Sequence, residues 1–246
     1  MTINGRPEKA AMLVAQRIIR DVGRDDIQPG QLLPPERILL EKYQIGRGTL
    51  REALRLLEFQ GVISLKPGPG GGPVLLVPDP SHLASSLRLL MQLKAAPFRA
   101  IVEVRTALEP VASLLAANRM DDAALEDLAA SVKEMRDNIN DQVRFFETNR
   151  RFHDVIAWGS SNALLGYFVE SLLGIMDGTF IGISYPVARR RAILKAHEEI
   201  YQALKARDAD EAQARMRDHL EGYVAYAERK FPEVLDRIIQ WDRPSR

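Results

Sequence analysis

The stretch Ile45–Val62, IGRGTLREALRLLEFQGV, decides the fold of the first third of the chain. At 100° per residue, Leu50, Ala53, Leu54 and Leu57 share one arc of a helix, and Arg47, Arg51 and Arg55 share another centred roughly 110° away. One face is built to pack and its neighbour is cationic. Arginine carries a planar fork of donors that grips a phosphate, or the O6/N7 edge of guanine, through two bonds at once, which suits a helix lying in the major groove of DNA. A merely solvated face, with Glu52 and Glu58 offsetting the charge, is the alternative this helix allows by itself.

The flanking residues narrow the choice. Pro29-Gly30 makes a turn, and Leu33-Pro34-Pro35-Glu36 opens a helix over Glu36 to Tyr43, with a proline at the entry and an acid near its positive end. Gln44 to Gly46 is then a tight turn into the arginine helix, so the pair reads as a helix-turn-helix. Downstream, Val62 to Lys66 and Pro73 to Val77 are strand-like runs around a tip, Pro67-Gly68-Pro69-Gly70-Gly71-Gly72, that excludes regular structure. Such a hairpin is a wing. Upstream, residues 8 to 22 place Ala11, Val14, Ala15, Ile18 and Ile19 at helical spacing as a packing helix.

Leu33-Pro34-x-Glu36-Arg37, Arg47-x-x-Leu50-Arg51-Glu52-Ala53-Leu54-x-x-Leu57-x-x-x-Gly61 and the glycine-bearing hairpin together resemble the winged helix of GntR-type transcriptional regulators. The resemblance implies that Arg37, Arg47 and Arg51 contact phosphates and guanine edges, Thr49 a phosphate, and the wing from Gly68 to Gly70 the minor groove. Gly46 and Gly48 depart from the pattern, standing where relatives carry Ser or Thr, and the triple glycine of the wing is unusual.

Composition bounds the rest. Of 246 residues, 46% are apolar and 27% charged, as in ordinary globular proteins. No apolar run approaches the roughly 20 residues needed to span a bilayer, and MTINGRPEKAA is not a signal peptide, so a cytoplasmic protein without membrane contact is expected. With no cysteine, disulfides, thiolate chemistry and cysteine-based zinc sites are excluded. The net charge of +1 is unevenly spread: residues 1–78 carry 11 basic and 8 acidic side chains, the remainder 23 and 25. The basic excess lies with the winged helix, where phosphate neutralisation would need it.

Val77-Pro78-Asp79-Pro80-Ser81 is the linker, with Ser81 suited to cap the next helix, and it divides a DNA-binding domain (1–78) from a second domain (79–246). That second part reads as an all-α bundle of about seven helices, near 82–93, 97–118, 121–139, 141–158, 162–182, 187–206 and 208–230, with a possible short one at 232–241. Asp121 and Ser161 suit N-caps. The fold class is therefore mainly α, a winged helix-turn-helix followed by a helical bundle.

Three of the four histidines fall in the bundle, and their helical phase turns each inward: His153 with Asn149, Phe152 and Ile156, His197 with Ile193, Leu194 and Ile200, His219 with Met216 and Tyr223. Arg150 and Asp154 fall opposite His153. A single inward histidine is most often a hydrogen-bonded core residue, since an unsatisfied polar group costs about 1–3 kcal/mol. Three in one bundle suggest convergence on a divalent ion. Arg189-Arg190-Arg191, at a helix entrance, reads as a solvated basic cluster, with an anion contact as the less favoured alternative.

Glu103-x-Arg105-x-x-Leu108-Glu109, Phe152-His153, Asn162, His197 before Ile200, and Ala212 to His219-Leu220 resemble the FadR-type effector domain, FCD, that stands behind many GntR winged helices. The resemblance implies a divalent ion, Zn²⁺ or Ni²⁺, on Asn149, His153, His197 and His219, with Asn149 at a position where the family carries Asp. It further implies a small carboxylate effector on that ion, gripped by Arg105, for which a salt bridge to Glu109 is the alternative. The two resemblances together imply a homodimeric, ligand-responsive regulator, a repressor, reading a palindromic operator. Two rivals remain: a metal-dependent hydrolase, and a regulator with a metal-free pocket for an acyl-CoA-like effector.

Overall fold

Leu50, Ala53, Leu54 and Leu57 are all buried, and the helix that carries them is α3 (Arg47–Phe59), the centre of the N-terminal unit. It packs on α1 (Pro7–Arg24) through Ala11, Val14, Ala15 and Ile18, whereas Ile19 turns outward. The short α2 (Glu36–Tyr43) stops where Gln44 takes the left-handed conformation (φ 52°). The Tyr43 hydroxyl donates to Asp21 at 2.8 Å and pins α2 to α1. Pro35 is the N-cap of α2, at the entry expected for a proline. Two antiparallel strands come next, β1 (Ile63–Lys66) and β2 (Gly72–Leu75), in register Ile63 with Leu75 and Lys66 with Gly72. The structure describes residues 7–68, 70–77, 79–179 and 185–241 and is a computed structural model.

The end of α3 shows why glycine is required at one position. Gly61 (φ +69°) donates to the Glu58 carbonyl and Val62 to that of Leu57, the double closure of a left-handed helix stop. A Cβ on Gly61 would lie 2.2 Å from the His82 imidazole. Gly61→Ala is therefore expected to lower the stability of this unit by about 1–3 kcal/mol from backbone strain alone, with more added by the collision. A melting curve superimposable on wild type would contradict this.

The C-terminal unit is helical: α4 (Pro80–Leu93), α5 (Phe98–Arg119), α6 (Asp122–Asp137), α7 (Gln142–Gly159), α8 (Ala163–Thr179), α9 (Val187–Lys205), α10 (Ala209–Lys230) and α11 (Pro232–Leu235). Backbone contacts divide the chain into Met1–His82 and Leu83–Arg246. Pro78 and residues 180–184, which include the end of the expected 162–182 helix, lie outside the described residues. Within the bundle α5 packs along α10 and α7, and α9 along α10, around Phe98, Phe145, Phe152 and Ile156. Among the described residues no helix is long and apolar enough to cross a membrane.

Several expectations are corrected at helix ends. Asp121 caps α6 as expected, accepting from the Ala124 N–H, but Asn162, and not Ser161, caps α8 by accepting from Leu164 and Leu165. Ser161 takes φ 53°, the conformation of a helix stop. At α4 the Asp79 carboxylate receives the Ser81 N–H, so the cap sits two residues before Ser81. The helix expected at 232–241 ends at Leu235, because the chain then turns extended and pairs Ile238 with Pro97, with Phe98 donating to the Arg237 carbonyl at 2.9 Å.

Candidate functional site

The exposed side of α3 carries Arg47, Arg51 and Arg55, with Thr49 half-buried beside them. Among the described residues neither Arg47 nor Arg51 has an ion-pair partner, while Arg55 approaches Glu52 only at 4.0 Å. Arg37, on α2, is exposed and paired with Glu41 at 3.0 Å. Gly46 is the N-cap and supplies no side-chain cap, so the first N–H groups of α3 stand open at its positive end. In the wing, Gly68 (φ +91°) and Gly70 (φ +77°) turn the chain, and Gly71 has no room for a Cβ, which would fall 2.3 Å from the Lys66 carbonyl. Pro69 lies outside the described residues.

In the bundle, His153 on α7, His197 on α9 and His219 on α10 present nitrogens that all lie within 4.8 Å of one another. His197 Nε2 and His219 Nε2 are 3.2 Å apart. Two nitrogens each about 2.05 Å from one ion, at roughly 90–110°, would be separated by about 2.9–3.4 Å, so this spacing suits a shared ion as well as a hydrogen bond. The Phe152 ring stacks on His197 at 3.8 Å and 8° and fixes its plane. Burial lowers both His197 and His219 well below the usual imidazole range, and the neighbouring imidazoles add to the effect. Both are therefore neutral at pH 7, the state in which a ring nitrogen binds a metal.

His153 is oriented by a residue that the helical phase of the histidines did not single out. Its Nδ1 lies 2.6 Å from Glu109 Oε2, and Arg105 Nε donates to Glu109 Oε1 at 2.5 Å. All three are buried. Burial would raise the Glu109 carboxyl, but Arg105 and His153 outweigh it and hold it at about 2. An ionised carboxylate only accepts, so His153 Nδ1–H is the donor of this bond and Nε2 is the nitrogen left for another partner. This is the carboxylate–imidazole arrangement that sets a ligand's tautomer and angle. One signal for it was visible in the sequence, the i,i+4 spacing of Arg105 and Glu109.

Arg105, Asn149, Arg150, His153, Arg189 and His219 line one cavity of about 40 Å³, room for about three waters at roughly 10–15 Å³ each. Arg150, expected on the outer side of α7, lines this cavity, and its partner Asp154 is drawn in with it at 3.4 Å. Burial raises Asp154 to about 7, with Arg150 opposing. The arginine triplet is not one solvated cluster. Arg190 is buried and donates to the carbonyls of Tyr185 and Ile139, Arg189 enters the cavity, and only Arg191 is exposed.

A helix-turn-helix with a glycine-tipped hairpin, followed by a helical bundle with an inward histidine cluster, defines a class of two-part DNA-binding regulators. Residues 11–71 match the family described as "Bacterial regulatory proteins, gntR family", and residues 100–222 the FCD domain. The chain belongs to the GntR family of transcriptional regulators, in the branch that carries an FCD domain. It is 28% identical over 210 residues to the uncharacterized HTH-type transcriptional regulator YcbG of Bacillus subtilis (strain 168), covering 85% of this chain and 86% of that protein. To the HTH-type transcriptional repressor NanR of Cronobacter sakazakii it is 25% identical over 232 residues, covering 89% and 85%. A solved structure of Streptococcus agalactiae GntR superposes with a TM-score of 0.69 at 23% identity, over 88% of this chain and 100% of that one, which speaks to the fold. These relationships make the chain a transcriptional regulator and remove the hydrolase reading.

Proposed function

We propose that this regulator senses a small carboxylate at a divalent ion held in its helical domain, residues 79–246, and transmits the binding to a winged helix in residues 1–78. The observation that carries the reading is the convergence of three imidazoles, of which His153 and His219 line a cavity whose wall also holds guanidinium groups. His153, His197 and His219 would be the nitrogen ligands and the Asn149 amide oxygen a fourth. When bound, the ion, Zn²⁺ or Ni²⁺, supplies a positive centre for an effector carboxylate. Asn149 contributes no negative charge, so the ion is held less tightly than where an aspartate stands. The small cavity favours a short acid and opposes an acyl-CoA-like ligand.

Arg37, Arg47, Arg51 and Thr49, with Gly68 and Gly70 of the wing, are assigned to double-stranded DNA. Two copies in a symmetric homodimer would read the two halves of a palindromic operator in the cytoplasm. We assign repression as the ground state, the sign in the name of the relative NanR and the opposite of that in the name of the Glc operon transcriptional activator of Escherichia coli, 27% identical over 219 residues. The effector shifts the equilibrium by its differential affinity for the two states and by nothing else.

Elemental analysis with thermal melts tests the ion. About one metal per chain is expected, with a melting temperature that falls on chelation and returns with Zn²⁺ or Ni²⁺. Bound at 100 times its dissociation constant, an ion stabilises by about 2.7 kcal/mol. Metal-free protein with an unchanged melt would return the histidines to hydrogen-bonded core residues. A promoter fusion tests the sign: deletion of the regulator should raise expression, and a fall would make it an activator.

A further inference from the structure

Arg189 is the one guanidinium in the cavity without a carboxylate partner among the described residues. It stands in the first turn of α9. Its Nη2 donates to the Gly222 carbonyl at 3.1 Å and its Cζ lies 4.4 Å from the centroid of the Tyr226 ring. Its Nε is buried and makes no hydrogen bond. The Tyr223 hydroxyl, in the same cavity wall, is likewise buried without a hydrogen bond. Two idle polar groups in one enclosed wall are unfavourable unless a ligand supplies the acceptor.

Charge points to the kind of acceptor. Three guanidinium groups line the cavity; Arg105 is matched by Glu109 and Arg150 by Asp154. Arg189 is left over, and Asp154, raised to about 7 by burial, offsets Arg150 only in part, so the wall carries at least one uncompensated positive charge. His153, His197, His219 and Asn149 are all neutral as ligands, so a divalent ion there would add two more. Gly222, which holds the Arg189 head, is three residues beyond His219 on α10, about 4.5 Å of axial rise. Arg189 and the histidines His153 and His219 thus face one small cavity.

We propose that Arg189, assisted by Tyr223, is an anion subsite of the sensing cavity and that the effector is a short dicarboxylate of three or four carbons. One carboxylate lies on Arg189 and the other faces the histidines. Arg105, whose Nε is committed to Glu109, positions His153 through that carboxylate and does not grip the effector. The proposal rests on the sensing role given above for the cavity, and for the second carboxylate on the ion.

Calorimetric titration of the full-length protein, loaded with Zn²⁺ and separately chelated, tests it with malonate and succinate against acetate and propionate. The dicarboxylates are expected to bind the wild type at least about tenfold more tightly, the value of one charge-assisted hydrogen bond. Arg189→Gln should erase that difference while leaving zinc content unchanged, and the unchanged zinc content shows that the variant is folded. Arg189→Lys, which keeps the charge but not the fork, and Tyr223→Phe should each reduce the difference in part. Equal affinity for mono- and dicarboxylates in the wild type, or a preference that survives in Arg189→Gln, overturns the proposal. If the protein takes up no zinc, the ion reading fails by itself; a dicarboxylate preference that still depends on Arg189 would then uphold the subsite.

Discussion

Glu109→Ala is expected to destabilise the helical unit by about 3–5 kcal/mol, because it strands the buried Arg105 guanidinium without a counter-charge. At roughly 2–4 °C per kcal/mol for a unit of this size, its melting temperature should fall by about 6–20 °C. The same residue sets an acid limit. Its folded pKa, about 2, lies below the ordinary value of 4.5, so its contribution is complete above about pH 4.5 and is lost as the pH falls toward 2. In Arg105→Met/Glu109→Leu no charge is stranded, and most of the stability should return even though His153 loses its orienting carboxylate. A double variant as unstable as Glu109→Ala would sink this account and place the cost in the contact with His153. Zinc content separates the roles further: the double variant should fold yet hold its ion more weakly, by about 10–100-fold for a lost orienting partner.

Arg47→Ala and Arg51→Ala are each expected to weaken operator binding by about 1–3 kcal/mol, and the pair together by at least about thirtyfold. The operator is first recovered by selecting binding sequences from a random pool with the full-length protein, and affinity is then read by fluorescence anisotropy at fixed salt. A residue on a guanine edge and a residue on a phosphate are told apart by two readouts. Loss of a base contact relaxes the preference at one position, and loss of a phosphate contact weakens all sequences and reduces the salt slope by about one. Arg51→Lys keeps the charge but not the two-pronged donor, so it should behave like alanine at a base edge and like wild type at a phosphate. Both alanine variants leave the buried face of α3 untouched, so unchanged melting is part of the expectation. Affinity reduced less than threefold in the double variant would mean that this face is only solvated.

The helices were legible because their apolar periodicity is long and uninterrupted. Residues 36–43 match α2 at both ends, and 187–206 and 208–230 match α9 and α10 to within one residue. What escaped was decided by tertiary pairing. Ile238 is drawn from the end of the last helix by a backbone partner, Pro97, some 140 residues away, which no local pattern signals. At the site, phase alone turned the three histidines inward, and the structure brings them together. Phase misjudged Arg150 and Asp154, because a long side chain at the edge of a helical face can reach either way and its direction depends on what the next helix offers. Arg105 illustrates the same limit. Spacing left the salt bridge and the effector contact both open, and the structure makes the salt bridge, to Glu109 at 2.5 Å in a buried interior.

Gly46 and Gly48 are bare positions with nothing within 4 Å of where a Cβ would stand, and Gly46 sits at φ −80°, open to any residue. Neither glycine is there for the sake of the fold. A side chain placed at either position would meet no protein atom within 4 Å of its Cβ, so, on the DNA assignment proposed above, the preference of this regulator could be rewritten at two sites without disturbing the packing beneath them. For an engineer these are the natural positions to randomise. For a lineage, they are places where a new operator can be adopted before anything else in the molecule has to change.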